Sequence, residues 1–202
     1  FIDGDKILFN PEIRYLSPRH IIVDNNQAPI AFWKIDKELF KDQTIVIIGG
    51  GPSHGEMDIN LIRNCHFIAV NSSCRRVFSI VSREDILYFS DNSWSERYLD
   101  LIKNWPGKVI TSNRNTKIRL KDLVDRLVLE ELTEFMKIKS DCVQASSGHT
   151  AACLGAMLGA KKIILIGFEC KAINGRTHGH DDYQMDDIST FKERYIGSWK
   201  AL

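Results

Sequence analysis

The run Thr44-Ile45-Val46-Ile47-Ile48 passes without interruption into Gly49-Gly50-Gly51-Pro52-Ser53. A short, continuous, β-branched run of this kind reads as a strand buried on both faces. Three glycines directly after it demand a tight turn in which something approaches the backbone closely. Runs of the same character recur at Phe67-Ile68-Ala69-Val70, Ile86-Leu87-Tyr88-Phe89, Lys108-Val109-Ile110 and Ile163-Ile164-Leu165-Ile166.

Helix-length segments lie between these runs. Residues 93–105 carry Trp94, Tyr98, Leu101, Ile102 and Trp105 at helical spacing. Residues 149–158 are rich in alanine, with Ser147 placed to cap and Gly159 to stop the helix. Strands alternating with helices predict a mostly parallel sheet flanked by helices, with right-handed crossovers. The fold class expected is therefore α/β, a single Rossmann-like domain over residues 43–202. Residues 1–42 form a lead-in segment packed on it, with a turn at Asp3-Gly4-Asp5 and a strand at Ile21-Ile22-Val23; Pro11, Pro18 and Pro29 exclude a long helix there.

Composition narrows the function classes. A net charge of +1 over 202 residues predicts no broad nucleic-acid surface. No apolar run approaches the roughly 18 residues of a membrane helix, and the sequence, which opens at Phe1, shows no signal-peptide pattern. The five cysteines are widely spaced and lack a C-x-x-C pair. They predict neither a disulfide framework nor a zinc knuckle, and the cytoplasm is the expected compartment. Asn71-Ser72-Ser73 matches a glycosylation acceptor by chance on this reading.

Glycines after a strand let a phosphate approach free N–H groups at a helix N-terminus, so Gly49, Gly50, Gly51, Pro52 and Ser53 are candidate nucleotide contacts. The alternative is a tight turn without a ligand. A flavin or nicotinamide fingerprint fits less well, because His54 stands where the third glycine of G-x-G-x-x-G belongs and Asn71 replaces the acidic residue after the second strand.

Ligands of parallel α/β sheets lie outside the carboxyl ends of the strands. That rule brings together Asn71 to Ser73, Ser90-Asp91-Asn92, Ser146 to His149 and the segment after Gly167, and of these Asn71, Ser72, Asp91, Ser147, Gly148 and His149 are candidate nucleotide contacts. Each has a structural alternative as a turn or cap residue. The densest cluster is Gly175-Arg176-Thr177-His178-Gly179-His180-Asp181-Asp182. His178 or His180 would serve as general base and Arg176 would neutralise a leaving phosphate. Asp181 and Asp182 would hold Mg²⁺ or Mn²⁺ if a metal is used, although none is required by the pattern. The bland alternative is an exposed polar loop. His20 and His66 read as structural. Phe191, Tyr195, Ile196 and Trp199 form a stripe expected to be core or a homo-oligomer contact.

Two blocks carry a family resemblance. GGGPSHGEMDINLI, followed by a strand and Val70-Asn71-Ser72-Ser73, resembles the start of the bacterial sialyltransferases with a modified Rossmann fold. SSGHTAACLGAMLGAKKIILIGFEC, residues 146–170, resembles their Ser/Thr-Gly, small-residue helix, hydrophobic strand, Gly-x-Asp pattern. The same blocks occur in the hydroxymethylpterin diphosphokinase-like domain and in uncharacterised phage and bacterial proteins. The resemblance spans roughly residues 44–180. It implies a nucleotide-binding transferase fold, with a nucleotide or nucleotide sugar as partner and Asn71 on the phosphate. The group moved is a sugar by one set of relatives and a diphosphate by the other. Glu169 stands where the pattern usually has Asp, and His149 where Tyr or an aliphatic residue is common. A non-catalytic nucleotide-binding or interaction module is the competing expectation.

Overall fold

The computed structural model describes residues 36–182 and 196–200 and the backbone at residues 2–3 and 6–7. The expectations placed on His20, Ile21 to Val23, Phe191 and Tyr195 lie outside these residues. Strands β1 (Ile2–Asp3) and β2 (Lys6–Ile7) pair antiparallel, with Ile2 opposite Ile7.

The six-stranded sheet is wholly parallel. It contains β3 (Thr44–Ile48), β4 (His66–Val70), β5 (Ile86–Phe89), β6 (Lys108–Thr111), β7 (Asp125–Arg126) and β8 (Lys162–Ile166), ordered β7-β6-β5-β4-β3-β8. The chain moves outward from β3 to β7 and then crosses back to lay β8 on the other side of β3. The strand order therefore reverses between β3 and β8, and the connecting segments part there to leave a crevice. The connections carry helices α1 (Cys74–Val77), α2 (Asn92–Arg97), α3 (Leu99–Asn104), α4 (Arg114–Leu120), α5 (Leu129–Met136), α6 (Ser140–Val143) and α7 (Ser147–Met157).

Alternation along each strand feeds two cores. Ile45, Ile47, Ile68, Ile86, Tyr88 and Ile110 meet Ala151, Cys153, Leu154 and Leu158 on one face. Val46, Ile48, Phe67, Ala69, Leu87 and Phe89 meet Trp94, Ile102 and Trp105 on the other. The strand β8 departs from the expected two-sided burial: Ile164 and Leu165 are 38% and 40% exposed, and among the described residues β8 is an edge strand paired with β3 alone.

Helix α7 is buried along most of its length. Its small residues let it ride close on β3: a Cβ on Gly155 would come within 2.8 Å of Ile45 Cδ1. The N-cap is Ser146, not the expected Ser147; Ser146 is extended and its Oγ accepts from the His149 N–H. The chain leaves this helix through Gly159 at φ +88°, as its stop position requires. The single helix expected over residues 93–105 is two, α2 and α3, parted at Tyr98, which leaves the helical region at φ −112° and ψ 31°. Strand β7 has no counterpart among the expected strands, since two residues carry no periodicity.

Candidate functional site

A cleft of about 590 Å³ opens at the carboxyl ends of the strands, over the β3/β8 reversal. Gly49, Gly50, Gly51, Asn71, Asp91, Ser147, Gly148, His178 and His180 all line it. Pro52, Ser53, Ser72, His149, Arg176, Asp181 and Asp182 do not.

The glycine turn differs from a free phosphate cradle. The Gly49 N–H donates to Ile166 O at 2.7 Å and the Gly51 N–H to Gly167 O at 2.8 Å, so two of the three glycine amides are spent on the loop after β8. The next residues, Pro52–Gly55, form a single 3₁₀ turn, not an α-helix with a developed dipole. Ser53 neither caps nor reaches the cleft; its hydroxyl donates to the Glu169 carboxylate. The glycines have a structural use in this turn. A Cβ on Gly49 or on Gly51 would lie 2.6 Å from Gly167 O, and one on Gly50 would lie 2.8 Å from His180 Nε2.

The histidine loop is folded onto this turn. Ile173 and Arg176 exchange backbone hydrogen bonds of 2.9 and 3.0 Å around Asn174 and Gly175, both at positive φ. That hairpin sends Arg176 outward, where it pairs with the exposed Asp181 at 2.6 Å. The chain then returns, and the Gly179 N–H donates to Gly50 O at 2.9 Å. A Cβ on Gly179 would clash with His54 Nδ1, so only glycine passes there.

His178 and His180 face the cleft with ring centroids 5.4 Å apart, and His54 packs edge-on to His180 from the buried side. Burial pushes the His180 pKa down to about 4; the Asp182 carboxylate opposes this, and His178, His54 and Arg75 reinforce it. His54 is also lowered, chiefly by burial. Both rings are therefore neutral near pH 7. Asp182 lies behind His180, its Oδ2 3.6 Å from Nδ1. It binds Arg75 at 3.1 Å and accepts from Tyr98 OH, while its backbone carbonyl accepts from Arg97 at 3.3 Å. Burial alone would raise the Asp182 pKa, but hydrogen bonds from Ser72 and Tyr98 and the Arg75 charge outweigh it and hold the carboxyl below its usual range. Ser72 thus supports Asp182 from beneath the cleft, and also accepts from Trp94 Nε1 at 2.8 Å.

On the opposite wall, Ser147 Oγ and Ser90 Oγ lie 2.7 Å apart at the start of α7. The His149 N–H is capped by Ser146 Oγ and the Thr150 N–H donates to Ser146 O, and Ser147 and Gly148, the first residues of α7, line the cleft. His149 itself is fully buried, its Nδ1 2.8 Å from Ser146 Oγ and its ring against Trp199. Asp91 caps α2, accepting from the Ser93 N–H at 2.9 Å and the Trp94 N–H at 3.4 Å, while still bordering the cleft. Asn71 sits at φ 50°, a left-handed conformation asparagine tolerates, at the end of β4.

The lining also contains Phe168, in the segment after Gly167 that the carboxyl-end rule marks, and Ser112, Gln144 and Trp199, which the sequence does not mark as site residues. Ser112 and Phe168 follow strands β6 and β8, so the carboxyl-end rule reaches them. Trp199, expected in the core or in an oligomer contact, packs against the core cluster of Ile45 and Leu154 and also borders the cleft. Among the described residues the lining holds no Lys or Arg, and no group of three or more His, Cys, Asp and Glu side chains is placed to hold a metal ion. Asp181 and Asp182 are turned to separate cationic partners, Arg176 and Arg75. No helix among the described residues is long and apolar enough to cross a membrane.

Comparison with known proteins leaves the cleft to be read from its own chemistry: no protein-family model, no curated protein and no solved structure matches the chain.

Proposed function

We propose that the chain is a nucleotide-dependent transferase that holds a nucleotide sugar in the cleft over the β3/β8 reversal. The observation that carries this reading is convergence. Residues from five separate strand ends and the start of α7 meet in one cleft whose volume suits a ligand of this size. The resemblance of the glycine-turn and small-residue-helix blocks to bacterial sialyltransferases supports the same reading. The backbone amides of Ser147 and Gly148 meet the phosphate, and Asn71 supplies an amide beside it.

His180 acts as the base. Its imidazole is neutral near pH 7, and the Asp182 carboxylate 3.6 Å from Nδ1 opposes the burial that weakens the ring as a base. The acceptor hydroxyl oxygen attacks the anomeric carbon, and the bond from that carbon to the phosphate oxygen breaks. The nucleotide departs with the bonding pair, and the hydroxyl proton passes to His180. Asp182, fixed by Arg75 and Tyr98, positions the ring and stabilises the imidazolium that forms.

The test begins with a panel of nucleotides and nucleotide sugars in a thermal-shift screen, since a ligand of the native state raises the melting temperature by mass action. Donor turnover is then measured for wild type, His180→Ala and the double variant with His178→Ala. The expected result is a loss of about 10²–10⁴-fold in turnover for His180→Ala with nucleotide affinity nearly retained. Binding lost together with turnover would make the pair ligand holders and remove the base assignment. Nucleotide binding without hydrolysis or transfer from any nucleotide sugar would make the chain a binding module instead.

A further inference from the structure

The two ends of the cleft differ in chemistry. At the β5 and β6 end the lining is Ser90, Asp91 and Ser112, hydroxyls and one carboxylate. At the β8 end it is Phe168 and Trp199, whose rings meet edge to face at 5.4 Å and 89°. Three strand spacings separate β5 from β8, roughly 14 Å. Asp91, the one carboxylate among the lining residues, follows β5, and the aromatic corner follows β8.

That corner is built, not incidental. Phe168 is held between two glycines from different elements: a Cβ on Gly148 of α7 would clash with its ring, and a Cβ on Gly49 would lie 2.8 Å from it. Either methyl would displace the ring from the cleft wall. Trp199 is backed by the fully buried His149, ring centroids 4.1 Å apart at 32°, and His149 is in turn fixed by Ser146. The Gly197–Trp199 turn packs on α6, and the Trp199 indole hydrogen-bonds the Cys170 side chain. One face of the indole is therefore supported from behind while the residue still borders the cleft.

We infer that the Phe168–Trp199 corner is the nucleobase subsite, an inference that rests on the nucleotide reading above. An apolar, preorganised aromatic corner, with no carboxylate of its own in the lining, suits a base, which presents a π-face and no hydroxyls. A sugar would take the hydroxyl and carboxylate end. The ligand then lies with its base over Trp199, its phosphate at Ser147 and Gly148, and the transferred group beside Ser90, Asp91 and Ser112. His178 and His180 flank the middle of this path.

The experiment measures binding to the full chain by calorimetry and by quenching of tryptophan fluorescence. The probes are nucleoside mono- and diphosphates of the five common bases, with ribose 5-phosphate and pyrophosphate as base-free controls. Trp199→Ala is expected to weaken the nucleotide that binds wild type by about 5- to 150-fold, the span of base–aromatic stacking. The weaker base-free probes are expected to bind both proteins equally. Trp199→Phe keeps a ring, so it should retain most of the affinity while abolishing the fluorescence quench. Nucleotide affinity of Trp199→Ala within two-fold of wild type would overturn the inference and leave the nucleotide reading standing. A quench that persists in Trp199→Phe would overturn it too, including in the case that Trp199→Ala does not fold. Failure of every nucleotide to bind wild type would defeat the underlying reading and this one with it.

Discussion

Gly49→Ala tests whether the glycine turn is a packing device. A methyl carbon on residue 49 would lie 2.6 Å from Gly167 O and 2.8 and 3.0 Å from two atoms of the Phe168 ring. A ring can rotate away, but the Gly167 carbonyl cannot, because it accepts the Gly51 N–H at 2.8 Å. Overpacking of this kind costs about 1–3 kcal/mol, and contact with backbone places it at the upper end. Loss of the Gly51 hydrogen bond adds about 1 kcal/mol. The expected destabilisation is therefore about 4 kcal/mol, a fall in melting temperature of roughly 8–16 °C for a domain of this size. Gly55→Ala is the control, since a Cβ there meets only Gly179 O at an ordinary 3.8 Å. It should melt at or slightly above wild type. Both variants are followed by circular dichroism during thermal and urea unfolding. If Gly49→Ala melts no lower than Gly55→Ala, the β3 and β8 loops do not cross at close range, and the packing argument fails.

The buried histidines predict a stability profile. His180 has a folded pKa of about 4 against an ordinary 6.5, so the unfolded chain binds more protons between those values. Its contribution is fully present above about pH 6.5 and is lost as pH falls toward 4; the lowered pKa of His54 acts in the same direction. Urea midpoints measured from about pH 7.5 to 4.5 should fall for wild type and fall less steeply for His180→Asn; identical slopes would remove His180 from the account. Burial also pushes the Cys74 and Cys153 thiols up to about 12. Both should resist iodoacetamide at about pH 8 until urea unfolds the chain, whereas the half-buried Cys65 and Cys142 react first. Peptide mapping that finds Cys74 or Cys153 alkylated in the native protein at the rate of Cys65 would contradict the two-core packing.

Residues whose environment is local are the readable ones. Strands β3, β4, β5 and β6 announce themselves because a strand buried on both faces must be apolar at every position, and β8 carries the same apolar run although it is half-exposed. The two-residue β7 has no such requirement, and the break at Tyr98 depends on partners elsewhere in the chain, including Asp182. In the histidine loop the residue types alone do not tell an inward His180 from an outward Arg176. That choice is made by the hairpin at Asn174 and Gly175, whose positive φ values turn the chain before it reaches the cleft. Trp199 reads as one position in an amphipathic stripe, because its neighbours His149 and Phe168 are distant in sequence.

The glycine turn shows why strand order is the missing quantity. From the sequence, three glycines after a strand pose a choice between close packing and close approach of a ligand. The choice is false once β8 is known to lie beside β3. Had the last crossover delivered β8 next to β7, the Gly167 loop would lie at the far edge of the sheet and Gly49 and Gly51 would have had no carbonyl to receive their N–H groups. Because it lands beside β3, the two loops must pass at hydrogen-bond distance, and glycine is what allows this. The same contact seats Phe168 against Gly49 and draws Gly179 onto Gly50, which carries His178 and His180 to the cleft. Packing of the glycines and assembly of the candidate site are therefore one event, and a substitution that disturbs the first displaces the aromatic wall and the histidines together.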